Sequence, residues 1–171
     1  MVRDLKTRPK LIADVGCGSG CLGLTLAKLF PKATVFLSDI SLKAFEVARL
    51  NAKLLNVKLL LSDLFNKYPK RLKFDVIVAN LPYVPTTRIP KLSGSVKNFE
   101  PHLALDGGLD GMTIINRLIS QLPSRLKPTG IAILEIDDTH TLGKFKTQNP
   151  KFKMEIKKDQ FGRNRFLRLL T

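Results

Sequence analysis

Short apolar stretches alternate along the chain with longer segments in which apolar residues recur at helical spacing. The stretches Lys10–Val15, Ala33–Leu37, Val57–Leu61 and Phe74–Ala79 have the length and composition of strands, and the last of these is typical of a strand buried on both faces of a parallel sheet. The segments between them carry apolar residues three or four positions apart, as amphipathic helices do. This pattern predicts an α/β fold in which strands and helices alternate.

The carboxyl-terminal part of the chain completes the predicted sheet. Residues 130–136 form a fifth predicted strand, after a helix that we expect Asp110 to cap. Phe152–Ile156 and Phe166–Leu170 read as two more strands, and residues 162–164 between them are turn formers. We therefore predict a doubly wound, mostly parallel, seven-stranded Rossmann-like sheet that is closed by an antiparallel carboxyl-terminal hairpin.

Two segments lack a clear element. Residues 84–109 are interrupted by prolines and glycines and are predicted to form one long loop beside the strand Phe74–Ala79. Loops of this length in a compact domain usually cover or grip a ligand. Residues 137–148 are weakly helical at best.

Composition limits the class of protein. A chain of 171 residues is predicted to be one domain, and no apolar run reaches the roughly 18 residues that span a bilayer. Two cysteines and no recognisable secretory signal favour a reducing, cytoplasmic location. The net charge of +15 indicates an anionic partner such as RNA or a ribonucleoprotein, or else serves solubility alone. Residues 144–171 hold nine basic and two acidic residues, so their net +7 is nearly half of that charge.

Three aspartates stand where predicted strands end. Asp14, Asp39 and Asp63 close the first three strands, so they are expected at the same edge of the sheet, where open α/β sheets bind ligands. Asp39 follows Gly20 at the distance at which such folds place a carboxylate on ribose hydroxyls. Any one of them alone is explained more simply as a turn or helix-cap residue, but three in step favour a binding site.

A glycine-rich turn joins the first strand to the first helix. Gly16-Cys17-Gly18-Ser19-Gly20 allows the backbone to approach a ligand closely, and the helix start offers unpaired N–H groups. Gly18, Gly20 and Gly23 also fit the dinucleotide pattern G-x-G-x-x-G. Asp14 argues against a dinucleotide, because its carboxylate repels a pyrophosphate but suits a ligand that carries an ammonium and a sulfonium.

The fourth strand runs into Asn80-Leu81-Pro82-Tyr83. Pro82 restricts its own φ and the conformation of Leu81, so the backbone after Asn80 is stiff. An amide side chain, a backbone carbonyl at Leu81 and an aromatic ring together can clamp a flat NH2-bearing group. A strand that simply enters a proline turn is the plainer interpretation of these four residues.

Other kinds of site have weak support. Cys17 and Cys21 lack the spacing of a zinc knuckle, and Cys21 is expected to face inward as a small apolar residue would. No Gly-x-Ser-x-Gly elbow follows a strand. We therefore predict no metal site.

These motifs resemble those of a known enzyme family. Asp14–Gly20 is similar to motif I of class I methyltransferases that use S-adenosyl-L-methionine (AdoMet), and Asn80–Tyr83 is similar to the (Asn/Asp)-Pro-Pro-Tyr motif of those that methylate planar amino groups. Ribosomal adenine dimethylases carry Asn-Leu-Pro-Tyr itself. Phe99–Gly111, Leu134–Ile136 and residues 162–165 resemble the signature of the HemK/PrmC family, the protein-(glutamine-N5) methyltransferases of peptide chain release factors.

The resemblance implies roles for named residues. Asp39 is expected to hold the ribose, Asp63 the adenine amine, and the glycine turn the methionine end of AdoMet. The expected catalytic residues are Asn80, Leu81, Pro82 and Tyr83. The expected cofactor-binding residues are Asp14, Gly16, Cys17, Gly18, Gly20, Asp39, Ile40, Asp63, Leu64 and Asn80.

The resemblance also implies a partner, and two departures leave alternatives open. The expected substrate is a release factor glutamine, and the basic surface is expected to contact the ribosome or RNA. Leu81 replaces the family's usual first proline, and the family's amino-terminal helical substrate domain is not expected within this chain. An adenine methyltransferase for rRNA or DNA therefore stays open, as does a non-catalytic AdoMet-binding remnant or subunit.

Overall fold

The computed structural model describes residues 8–53, 55–97, 99–145 and 152–171, and seven strands and five α-helices lie within them. The strands are β1 Leu11–Val15, β2 Thr34–Asp39, β3 Val57–Leu61, β4 Phe74–Ala79, β5 Leu126–Glu135, β6 Lys153–Lys158 and β7 Asn164–Leu170. The helices are α1 Cys21–Leu29, α2 Leu42–Asn51, α3 Gly94–Lys97, α4 His102–Leu105 and α5 Thr113–Arg125.

The strands form one seven-stranded mixed sheet in the order β3-β2-β1-β4-β5-β7-β6. β1 pairs with β2 and β2 with β3 in parallel, whereas β6 and β7 pair antiparallel. The predicted fold class and the carboxyl-terminal hairpin are therefore confirmed. The predicted bounds of β3 and β4 match the observed ones, and the long apolar run of β4 is buried as expected.

The described residues divide into two compact units. The first contains the described residues up to Val78 together with Arg125–Ile131, and the second contains the described residues of 79–124 and those from Ala132 onward. A single domain for the whole chain stays a prediction.

An aromatic cluster forms much of the core of the first unit. Phe36, Phe65, Tyr68 and Phe74 pack with ring centroids 4.8–5.9 Å apart, several of them edge to face. Aromatic pairs in this geometry add about 0.5–1.5 kcal/mol each beyond the burial of their area. The cluster fixes the start of β4, because Phe74 is the first residue of this strand and is fully buried within the cluster.

The loop of the second unit differs from its prediction. Residues 84–109 contain a 3₁₀ turn at Thr86–Lys91 and the two short helices α3 and α4. Asp110 does not cap α5 but accepts a hydrogen bond from the backbone N–H of Met112, just before that helix begins. Residues 142–144 form a 3₁₀ turn, and residues 146–148 of the predicted weak helix lie outside the described residues.

The fifth strand starts earlier than predicted. The strand was predicted to begin at Gly130, but β5 begins at Leu126. Lys127 explains the extension, because its Nζ lies 2.9 Å from the carboxylate of Asp75 in β4. Asp75 also accepts the backbone N–H groups of Lys10 and Leu11.

The described part of the chain contains no helix that is long and apolar enough to cross a membrane.

Gly23 of α1 packs without a side chain against β1 and β2, which predicts the effect of adding one. A Cβ at this position would overlap the side chain of Leu37 and lie 2.8 Å from Oδ2 of Asp14. The better helix propensity of alanine offsets only about 1 kcal/mol of that overlap. We expect Gly23→Ala to lower the free energy of unfolding by about 1–3 kcal/mol in urea titrations.

Gly143→Ala is the matched control, because a Cβ there meets no atom within 4 Å. Its free energy of unfolding should stay within about 0.5 kcal/mol of the parent value. Equal stability of the two variants would contradict the packing described for Gly23.

Candidate active site

The glycine turn is held against the end of β2. The backbone N–H groups of Gly16 and Cys17 both donate to the carbonyl of Ser38, at 2.8 and 2.9 Å. Gly18 has φ +55°, a left-handed conformation that favours glycine, and a Cβ built on it meets nothing within 4 Å. The turn therefore has a fixed backbone and open space beside Gly18.

Asp39, the last residue of β2, ties the turn to the next helix. Its Oδ2 accepts the Gly18 N–H at 2.9 Å, and its Oδ1 accepts the Ser41 N–H at 2.8 Å. Ser41 caps α2 as predicted, because its hydroxyl accepts the N–H of Ala44. A carboxylate has about four lone-pair sites, so two backbone bonds leave Asp39 able to accept two more donors.

Asp14 lies beneath the turn rather than at its surface. The residue is 1% exposed, and its Oδ2 accepts the Gly23 N–H at 2.7 Å. Burial raises the pKa of Asp14 to about 7; the Gly23 hydrogen bond opposes this increase, and the charge of Asp39 adds to it. The two carboxylates are thus electrostatically coupled, and a cationic ligand group would relieve their repulsion.

Asp63, the third predicted carboxylate, follows β3 and precedes a residue of unusual backbone conformation. Asp63 is half-buried, and Leu64 beside it is buried at φ 48°. Leu64 is the one non-glycine residue with positive φ among the described residues, and such strain persists where surrounding contacts demand it. Ser62 supplies one of these contacts, because its hydroxyl donates to the Leu64 carbonyl at 2.9 Å. Ile40, after β2, is 56% exposed.

The cysteines differ in environment. Burial, followed by the charges of Asp14 and Asp39, raises the pKa of the Cys17 thiol to about 12. Cys21 is exposed at the start of α1, so the expectation that it faces inward is wrong. The described residues contain no group of three His, Cys, Asp or Glu side chains that could hold a metal ion.

The second unit begins with the predicted clamp. Asn80 is exposed, and Leu81 behind it is 5% exposed, so the amide faces solvent while the leucine side chain anchors the segment. The phenol of Tyr83 donates to Oε1 of Glu135 at 3.0 Å. Burial, together with the charge of Glu135 and this hydrogen bond, raises the pKa of Tyr83 to about 12. The phenol is therefore a neutral donor at physiological pH.

Backbone contacts fix the clamp from the other side. Val84 N–H donates to the Leu105 carbonyl at 3.0 Å, and Gly107 N–H donates to the Val84 carbonyl at 2.9 Å. Gly111 packs directly on the Tyr83 carbonyl, where a Cβ would overlap it. Val84, Ile89 and Leu105 form a small apolar core against which Tyr83 also packs.

Charged contacts hold the loop after the clamp. Arg88 Nη1 binds both oxygens of Asp137, at 2.7 and 2.9 Å, and Thr86 donates to Asp106 at 2.7 Å. His140 is fully buried, and its Nε2 lies 3.3 Å from the carbonyl of Asp110. Residues 84–109 are thus a braced structure rather than an open loop.

The structure brings some predicted residues together and adds others. Within the first unit, Asp39 contacts the glycine turn directly, and Asp14 contacts α1. Within the second unit, Tyr83 contacts Glu135, to which the sequence assigned no separate role. The position of Glu135 near the end of a predicted strand could have indicated a functional role, because functional polar residues favour the ends of strands.

A comparison with known families covers the part of the chain that contains these features: the turn after β1, the carboxylate that ends β2 and the Asn80–Tyr83 segment. Residues 1–93 match the model of the family described as Methyltransferase small domain. The chain belongs to this family.

Curated relatives of this family member are similar over 73–98% of its length. It is 45% identical over 127 residues to a release factor glutamine methyltransferase of Koribacter versatilis, an overlap of 73% of this chain and 45% of the relative. It is 36% identical over 174 residues to a release factor glutamine methyltransferase of Streptococcus pneumoniae, an overlap of 98% of this chain and 61% of the relative. The resemblance found in the motifs is confirmed, and the chain spans about half the length of these relatives.

Solved structures agree on the fold. A ribosomal protein L11 methylase from Lactobacillus delbrueckii subsp. bulgaricus matches with a TM-score of 0.66 and 26% identity, covering 98% of this chain and 71% of that one. The T. thermophilus 16S rRNA N2 G1207 methyltransferase in complex with AdoMet and guanosine matches with a TM-score of 0.61 and 20% identity, covering 96% and 38%. The second likeness concerns the fold alone.

The buried Asp14 predicts a specific pH dependence. Its ordinary pKa is 3.8, and burial raises it to about 7. Between these values the unfolded chain releases a proton that the folded protein keeps, so stability falls as pH rises, by up to about 1.4 kcal/mol per pH unit, and levels off above about pH 7. Asp14→Asn should lose less stability than the parent between about pH 5 and about pH 8 in urea titrations.

Asp75→Asn is the comparison variant, because the pKa of Asp75 is lowered rather than raised. Ionised Asp75 therefore stabilises the folded protein above the ordinary pKa of an aspartate, and this stabilisation is lost as the pH falls. Burial opposes that lowering, and the hydrogen bonds from Lys127, Leu11 and Lys10 outweigh it. An identical pH profile for Asp14→Asn and the parent would contradict the assignment to Asp14.

Proposed function

We propose that this protein transfers a methyl group from AdoMet to the side-chain amide nitrogen of a glutamine in a peptide chain release factor. The observation that carries the proposal is the exposed Asn80 on a braced segment that ends in Tyr83, in a chain whose relatives are named release factor glutamine methyltransferases. The cytoplasm is the expected site of this reaction.

The residues of the first unit fit AdoMet. The open space beside Gly18 admits a ligand close to the backbone. Asp39 retains acceptor capacity for two ribose hydroxyls, and Ile40 offers exposed apolar surface for an adenine ring. The Asp14–Asp39 pair favours a ligand with positive charge over a pyrophosphate, so AdoMet suits this site better than a dinucleotide.

The chemistry of an amide explains why a clamp is needed. The lone pair of an amide nitrogen is delocalised into its carbonyl, so glutamine is a weak nucleophile. AdoMet supplies an activated methyl group on a sulfonium. In the proposed reaction, the Asn80 side-chain oxygen and the Leu81 carbonyl accept the two N–H bonds of the substrate amide and orient its nitrogen. Such positioning contributes several kcal/mol to lowering a barrier, and no strong general base is required.

The same two acceptors act on the transition state. Positive charge develops on the nitrogen as the new C–N bond forms and the methyl–sulfur bond breaks to leave a neutral thioether, and the oxygens of Asn80 and Leu81 stabilise that charge. One N–H proton of the methylated nitrogen then passes to water. Pro82 keeps the backbone of Leu81 extended, so its carbonyl needs no reorganisation. Tyr83 packs its ring against the planar group, and its phenol is already engaged by Glu135.

Two alternatives follow from the sequence. An adenine methyltransferase is favoured by the net charge of +15 and by Leu81, because an adenine amine presents the same flat NH2 group. A non-catalytic AdoMet-binding subunit is the second alternative. The alignment with the Streptococcus pneumoniae release factor glutamine methyltransferase, at 36% identity over 98% of this chain, favours the glutamine substrate over both.

Mutation of the cofactor site is expected to change AdoMet affinity, whereas mutation of the clamp is expected to change kcat. Asp39→Ala should weaken AdoMet binding by about 1.5–3 kcal/mol in calorimetry, because hydrogen bonds to a charged group are lost. Asn80→Ala should leave AdoMet affinity within a few-fold while kcat on a purified release factor falls by about 10² or more.

Glu46→Ala is the control for loss of a carboxylate, because Glu46 is a half-buried residue of α2 that pairs with Arg49. It should change neither quantity. If Asn80→Ala lowered AdoMet affinity and kcat together, Asn80 would have a structural role and the clamp would be wrong.

The carboxyl-terminal hairpin is the proposed contact with ribosomes or RNA. Lys153, Lys157, Lys158 and Arg163 are exposed, whereas Arg168 is half-buried and bound to Glu155 at 2.6 Å. Lys146 and Lys151 lie outside the described residues. The exposed cations form a patch that an RNA backbone would attract.

Ribosomes should therefore raise the initial rate on a release factor, and the gain should shrink between about 50 and about 200 mM salt. Replacing Lys153 and Lys158 with glutamate should abolish the gain and leave the rate without ribosomes unchanged. A rate that ignores both ribosomes and salt would leave the hairpin as ordinary solvated surface.

A further inference from the structure

The phenol of Tyr83 depends on a carboxylate that has a second partner. Oε1 of Glu135 accepts the Tyr83 hydroxyl at 3.0 Å, and the same oxygen lies 3.8 Å from Nη1 of Arg165. Glu135 is the last residue of β5, and Arg165 is the second residue of β7. One oxygen atom of Glu135 therefore joins the clamp to the carboxyl-terminal hairpin, and the guanidinium of Arg165 also interacts directly with the Tyr83 phenol.

Arg165 is held at both its backbone and its side chain. Its carbonyl accepts the N–H of Ile136 at 2.9 Å, which places it beside the residue that follows Glu135. Its Nε lies 3.4 Å from Oδ2 of Asp159. The guanidinium thus lies between two carboxylates with its direction fixed.

Asp159 is itself anchored in the hairpin turn. Its Oδ1 accepts the backbone N–H groups of Phe161 and Arg163, at 2.9 and 3.0 Å. These bonds lower the pKa of Asp159, with the Arg163 bond the largest cause, so it stays ionised over the working pH range. The chain of contacts runs from the turn through Asp159, Arg165 and Glu135 to Tyr83.

We propose that Arg165 is a positioning residue for the methyl transfer, and that it acts on Tyr83 both by direct contact with the phenol and through Glu135. The inference rests on the proposed function, since the ring matters to catalysis as part of the clamp. Arg165 attracts the carboxylate of Glu135, which accepts the hydrogen bond of the Tyr83 hydroxyl, and so limits the orientations of that carboxylate. Without it, Glu135 and the Tyr83 phenol both lose the cation that orients them.

The size of the expected effect separates positioning from stability. The side chains of Arg165 and Glu135 are 26% and 27% exposed, so solvent screens their attraction and the pair adds little to the free energy of unfolding. A small displacement of a group that orients the substrate, however, lowers a rate strongly. Loss of Arg165 should thus affect turnover far more than folding.

Tyrosine fluorescence measures the Tyr83 environment directly. The chain has two tyrosines and no tryptophan, so Tyr68→Phe leaves Tyr83 as the single strong emitter. A phenol hydrogen-bonded to a carboxylate emits weakly, because excited-state proton transfer to the carboxylate competes with emission. In the Tyr68→Phe background, the emission of Tyr83 therefore reports its bond to Glu135.

Arg165→Met removes the charge and keeps most of the length of the side chain, and Arg165→Lys restores the charge. We expect Arg165→Met to raise Tyr83 emission and to lower kcat about tenfold, with the AdoMet dissociation constant unchanged. Arg165→Lys should recover part of both. Glu135→Gln should raise the emission without altering the hairpin, which provides a second test if Arg165→Met folds poorly.

Arg168→Met is the matched control. Arg168 lies on the same strand, is similarly buried at 23% exposure, and pairs with Glu155 instead. It should change neither emission nor kcat. Unchanged emission in Arg165→Met, the same change in Arg168→Met, or changed emission with unchanged kcat would each overturn the proposal. If the parent protein transfers no methyl group, the proposed function fails, and the emission comparison still decides whether Arg165 holds Tyr83.

Discussion

The carboxylate of Asp39 is the contact on which the proposed cofactor site depends. It binds the Gly18 N–H with one oxygen and the Ser41 N–H with the other, so one side chain fixes the glycine turn and the start of α2 at the end of β2. Asp14 lies beneath the same turn as a buried carboxylate of raised pKa, joined to α1 through Gly23. This arrangement gives a rigid backbone surface with an excess of negative charge, which is the environment that a cationic, ribose-bearing cosubstrate requires.

The substrate side depends on bracing rather than on burial. Asn80 is exposed, as the proposed contact with a protein substrate requires, and its neighbours hold the segment rigid. The backbone bonds of Val84, the close approach of Gly111 and the Tyr83–Glu135 hydrogen bond all act within four residues of Asn80. The amide clamp is therefore preorganised, which is where most of the proposed catalysis originates.

The sequence predicted β4 to the residue and the Ser41 cap, because buried apolar runs and cap chemistry are local signals. It missed α3 and α4, because four-residue helices are too short to be stable alone and form only through tertiary contacts such as that of Val84 with Leu105. The backbone role of Asp39 was missed, because a strand-end carboxylate gives the same pattern whether it binds a ligand or a turn. Glu135 and Arg165 were missed as partners of Tyr83, because contacts between residues distant along the chain leave no periodic trace.

The most direct test of the account locates the transferred methyl group. The protein is incubated with AdoMet labelled in its methyl group, with a purified release factor and with ribosomal RNA, and the products are separated and sequenced by mass spectrometry. The account predicts label on the side-chain nitrogen of a glutamine in the release factor and none in the RNA. Label on an adenine amine of the RNA, or an unlabelled release factor in the presence of bound AdoMet, would contradict it.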